Sequence, residues 1–179
     1  MKFNKQVFLR QMNKDLTPSL RQGLAHISRM RACAGIPEEK GDLVVIAATM
    51  EYGNPLNRMY NTPAGHVAPI PARPFLSRAT RGKYGSVVAN YINKNLPHLM
   101  AAIPTRGNGG DFRTTSRRAL HPATFMKGLG DLVADNAKQV IDNGNFVRLS
   151  DTTIERKGNA VPLQDSGKLR NSISGWVER

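Results

Sequence analysis

The run Ile70-Pro71-Ala72-Arg73-Pro74-Phe75-Leu76 constrains this chain more than any other part of it. Pro71 and Pro74 each fix φ and each remove a backbone donor, so the run fits neither a central strand nor a helix interior. The residue before each proline is driven toward extended geometry. Pro74 suits the first turn of a helix, where its missing N–H costs nothing. The run therefore reads as a stiff strap that delivers an apolar anchor, Phe75 and Leu76, and then starts a helix.

A second segment of the same character lies far downstream: Pro162-Leu163-Gln164-Asp165-Ser166-Gly167-Lys168-Leu169-Arg170-Asn171-Ser172-Ile173. Asp165 and Ser166 are good helix N-caps, and Gly167 permits a tight turn. Leu169, Asn171, Ile173 and Gly175 then alternate, with Trp176 and Val177 breaking the pattern. Both a short helix leading into a strand and a strand alone fit this spacing. Neither segment has the spacing of a catalytic motif.

Between and around these segments the periodicity predicts further elements. A short helix, a break near Pro18 and a longer helix to about Met30 are expected in a strongly basic extension, residues 1–30. A strand follows over 31–36. Leu43 to Tyr52 is apolar nearly all round and predicts a buried helix capped by Asp42 and closed by Gly53. An irregular loop is expected over 54–69. A helix is expected from about Pro74 to Met100, weakened by Gly82 and Gly85 and ended or kinked by Pro97. Another is expected from Pro122 to about Asn143, closed by Gly144. Residues 145–161 read as a tail and a charged turn.

The length, 179 residues, predicts one domain with its own core. Its 16 Gly and 11 Pro imply many turns, so extended arms should accompany a modest core. The expected class is α+β: a small mixed or antiparallel sheet packed with two or three helices, plus arms and loops. Residues 1–30 form the extension and 31–179 the α+β domain, with a basic loop at 103–120.

The net charge of +13 draws the chain to polyanions or to acidic protein surfaces. Aromatic residues are only 6%, so the stacking groups of single-strand binders are scarce and acidic protein neighbours are favoured. The sharpest nucleic-acid feature is the loop at 103–120. There Arg106, Arg113, Arg117 and Arg118 sit among glycines in an expected exposed loop; phosphate contact is one reading, and a loop that is solvated or lies against a neighbouring subunit is the favoured one.

Signals for catalysis are weak. The single cysteine, Cys33, rules out an internal disulfide and reads as a small core residue. The four histidines have no metal-ligand spacing. Glu51 and Asp165 have simpler roles as a helix-end residue and an N-cap. Ser166 and Ser172 sit in no nucleophile elbow. Gly107-Asn108-Gly109-Gly110 lacks the following Lys-Ser/Thr pair of a phosphate loop. The expectation is no enzyme, no cofactor and no metal. Residues 1–9 do not resemble a secretion signal and Leu43–Met50 is too short to span a bilayer, so a cytosolic chain with no membrane partner is expected.

Taken in order, Glu51-Tyr52-Gly53, the strap at 70–76, a long helix, Thr153-Ile154 with Lys157, then Pro162-Leu163-Gln164-Asp165-Ser166-Gly167-Lys168-Leu169 resemble the neck or tail-completion proteins of long-tailed bacteriophages. These are also described as minor tail or virion morphogenesis proteins. The resemblance spans about residues 31–177. It implies a structural protein that joins head and tail as a homo-oligomeric ring, hexameric or dodecameric, around the DNA channel. It also implies neighbouring head-completion or adaptor proteins and tail-terminator or tail-tube proteins, with nonspecific contact to genomic DNA. The location implied is the virion, after assembly in the host cytoplasm. The basic extension and the loop at 103–120 depart from the family pattern. On the stiff strap, Arg73, Pro74, Phe75 and Leu76, with Leu169 and Ile173, are the expected subunit-interface residues. The alternative, from charge, is a basic DNA-binding accessory protein.

Overall fold

The computed structural model describes residues 25, 27–55, 69–101 and 120–179. The expected helices within 1–24, most of the loop at 54–69, and Arg106, Arg113, Arg117 and Arg118 lie outside the described residues.

The described chain is α+β. Strand β1 (Arg31–Gly35) is followed by helix α1 (Asp42–Tyr52), then α2 (Gly82–Ala101), α3 (Pro122–Asn143), α4 (Asp151–Lys157), the single-turn α5 (Lys168–Asn171) and strand β2 (Ser174–Glu178). The two strands pair antiparallel, with Cys33 opposite Trp176 and Arg31 opposite Glu178. Near neighbours in space are thus the two ends of the described sequence, and the helices fill the interval between them.

Helix α3 is the central element. Pro122 sits at its first position, where a proline is tolerated, and the His121 ring accepts from the Ala123 N–H as its N-cap. Phe125, Ala134, Ala137, Val140 and Ile141 fall on its buried face. Ala134, Ala137, Val140 and Ile141 pack with Phe75, Tyr84, Leu169 and Ile173 into one core, while the Phe125 ring meets that of Tyr91. Full burial of Phe75 alone is worth about 2–3 kcal/mol of transfer free energy. The sheet lies against α3 at a pair of glycines. A Cβ on Gly175 would stand 2.3 Å from the Asp131 nitrogen, and one on Gly130 would stand 2.7 Å from the Cys33 carbonyl oxygen. Backbone meets backbone there, which is why a glycine within the helix is tolerated.

Several expectations are refined by the structure. Helix α1 has the expected span, but it is not buried. Only Ala47 and Glu51 are enclosed, and Val45, Ile46 and Tyr52 are exposed. Its cap position is Gly41, with no side-chain cap bond, and Asp42 is instead the first helical residue, where its charge suits the helix dipole. Gly53 closes the helix at φ 76°, its N–H bonded to the Thr49 carbonyl.

The helix expected from Pro74 is split. A 3-10 turn occupies Ser77–Thr80, and α2 begins only at Gly82, whose φ of +54° interrupts the run. Pro97 lies inside α2. The segment expected to be a tail contains α4. Ser150 caps it by accepting from the Thr153 N–H, and Gly158 ends it in the left-handed conformation. The second segment resolves as α5 leading into β2, with Gly167 at the cap position rather than Asp165 or Ser166.

Candidate functional site: a cleft floored by a buried arginine

The strap is tied at three points to the C-terminal end of α1. Ile70 and Asn54 exchange backbone hydrogen bonds of 2.9 Å. The Arg73 N–H donates to the Met50 carbonyl at 2.6 Å. Beyond these, the Glu51 carboxylate, 5% exposed, accepts from the strap's last amides. Oε2 accepts from the N–H of Phe75 at 2.8 Å and of Leu76 at 2.9 Å. Oε1 accepts from the Ser77 N–H at 2.8 Å and from the Ser77 hydroxyl. These N–H groups open the 3-10 turn and have no partner within it, so the carboxylate does for them what an N-cap does for a helix. The strap thus lies across its own helix, where Glu51 supplies acceptors for the amides that open the 3-10 turn.

The expected interface residues divide accordingly. Phe75, Leu169 and Ile173 belong to the chain's own core, and Pro74 and Leu76 are half-buried. Pro71 and Ala72 remain exposed on the strap's outer edge. Arg73 is 5% exposed, yet it lines a cleft of about 450 Å³.

Residues of both resembling segments line this cleft. Helix α1 contributes Leu43, Ile46 and Met50, and α4 contributes Thr153 and Lys157. The second segment contributes Leu163, Asp165, Lys168 and Leu169. Leu163 stands at φ 62°, a conformation costly for a branched side chain, and is held there by the turn at 159–164. In that turn the Asn159 amide donates to the Gln164 carbonyl at 2.6 Å while its oxygen accepts from the Val161 N–H at 2.6 Å.

The electrostatics of the cleft are unbalanced. Arg73 donates through Nε to the Val147 carbonyl at 3.4 Å, a long bond, and no carboxylate among the described residues pairs with it. Burial pushes its guanidinium down from the usual arginine value, although an arginine stays charged at neutral pH. Lys157 is also pushed down, first by burial and then by Arg73, with Asp165 opposing. Three cations, Arg73, Lys157 and Lys168, therefore share the cleft with one carboxylate, Asp165.

Asp165 thus lines the cleft and is not a cap. Cys33 is half-buried on β1, and its thiol is pushed up by burial and by Glu178. Among the described residues no cluster of His, Cys, Asp or Glu is arranged to hold a metal ion, and no helix is long and apolar enough to cross a membrane. Sequence reasoning singled out Arg73 and Asp165 but missed Thr153 and Lys157 as neighbours of Arg73; the Ser150 and Gly158 caps of α4 were the available signal. No protein-family model, curated protein or solved structure matches this chain.

Proposed function

We propose that this chain is a structural virion protein that forms a ring at the head–tail junction, a neck or tail-completion subunit joining head and tail around the DNA channel. The observation that carries this reading is the convergence of the two resembling segments. Glu51, the strap and the Asp165–Leu169 run, distant in sequence, build one unit with shared core residues Phe75, Leu169 and Ile173. A fixed, stiff strap with an exposed outer edge suits a heterologous contact between copies, the contact type from which closed rings are built. Pro71 and Ala72, with half-buried Pro74 and Leu76, offer that edge. The net charge of +13 suits a protein beside genomic DNA and acidic neighbours.

The same charge favours a second reading, a basic accessory protein that binds DNA directly. Quantitative mass spectrometry of purified phage particles, calibrated on the major tail protein, separates the two. A constant copy number that is a small multiple of six supports the ring. Absence from particles, with the protein recovered on nucleic acid and released steeply by salt, supports the accessory protein.

A further inference from the structure

We propose that the cleft floored by Arg73 is a docking site for an acidic segment of a different protein, an extended stretch whose carboxylate meets Arg73 while flanking apolar side chains lie against α1. A buried guanidinium with one long bond to a carbonyl is costly to keep, and a carboxylate is the group whose geometry matches its free fork. Lys157 and Lys168 add positive potential at the same place, against the single carboxylate of Asp165.

The remaining wall is apolar. Leu43, Ile46 and Met50 come from a helix that is hydrophobic on all sides and yet exposes Ile46. Such a helix face is ordinarily covered. An inorganic anion would satisfy the arginine and leave that face bare; an apolar-flanked acid covers both. The volume, about 450 Å³, accommodates a side chain and its neighbours rather than an isolated ion. A second copy of this chain is a poor source of such a segment, because its 26 Lys and Arg outnumber its 13 Asp and Glu, whereas an acidic neighbour complements the cleft. The inference deepens the ring reading by giving a neighbour's chemistry, but it stands on the cleft alone and is tested without particles.

The test is a peptide array probed with the full-length protein. Central Glu or Asp is flanked by varied apolar residues, and each peptide has a matched Gln or Asn counterpart. The best acidic peptides, labelled with fluorescein, are then titrated by anisotropy. The expected result is enrichment of acid-centred peptides, with binding at least tenfold tighter than to the amide counterpart. Arg73→Met should abolish that preference, and Arg81→Met, at an exposed position outside the cleft, should keep it. Equal binding of acid and amide peptides overturns the proposal, and this comparison needs no variant to fold. Displacement of the peptide by acetate as effectively as by unlabelled peptide would assign a small-anion site and also overturn it. Sedimentation of the protein as a larger species that Arg73→Met disperses would put a second copy in the cleft and overturn the choice of partner.

Discussion

Oε2 of Glu51 lies 2.8 Å from the backbone nitrogen of Phe75, a residue 24 positions further along the chain. This bond, with its companions to Leu76 and Ser77, fixes where the strap ends and the 3-10 turn begins. It also sets Phe75 into the core and turns Arg73 toward the cleft, so one buried carboxylate organises both packing and site.

Glu51→Ala should cost about 3 kcal/mol or more, because several N–H groups lose their acceptor in a buried place. Ser77→Ala removes only the hydroxyl and should cost about 1 kcal/mol. Urea denaturation of both variants checks the ratio; near-equal losses would mean that the amide contacts carry little.

Arg73→Met should leave the free chain as stable or more stable, by about 1 kcal/mol or more, since an unpaired buried charge is exchanged for an apolar side chain of similar length. The backbone bond from residue 73 to Met50 is unaffected. A clear drop in the denaturation midpoint would show instead that the guanidinium holds the fold.

Gly175→Ala should be among the most damaging small substitutions, costing about 3 kcal/mol, because its new methyl would meet the backbone of Gly130 and Asp131 and force α3 off the sheet. Gly158→Ala, at φ 72° with open space around it, should cost only about 1 kcal/mol. Thermal melts of the pair compare steric overlap with conformational strain.

Asp142 accepts two bonds of 2.7 Å from Arg170, and the bonded guanidinium holds its carboxyl below the ordinary value. A carboxyl depressed by folding adds stability that is complete above its unfolded value, near pH 4, and is lost as pH falls through the lower folded value. The stability gap between the native chain and Asp142→Asn should therefore be present at neutral pH and shrink in acid. The pair is over one-third exposed, so the gap should be small and should narrow further in high salt. A gap that persists unchanged at low pH would assign the loss to something other than this ion pair.

Local chemistry in the sequence was enough for α1, α3 and β1. Gly53, Pro122 and Gly144 act at short range, and the apolar stripe of α3 has a period that only a helix satisfies. It also determined that residues 70–76 would be an extended strap delivering Phe75, since two prolines leave the backbone little choice. Residues 168–178 were ambiguous, because four residues of helix and five of strand are too short for periodicity to separate. Helix α4 reads in sequence as tail and turn, because its few apolar residues give no stripe and only its Ser150 and Gly158 caps mark it.

What the tertiary structure alone decided is the partner of each of these pieces. Glu51 reads in sequence as the end of a helix, and only folding brings it under the strap's amides. Asp165 reads as a cap, and only folding sets it beside Lys157 and Arg73 in one cleft. The apolar excess of α1 was visible from composition, but which side stays open depends on α3 and the sheet claiming the core. Capping, turn formation and φ restriction act between residues a few positions apart, so sequence fixes them. Burial and charge pairing depend on groups that meet only after the chain has closed, so the structure decides them.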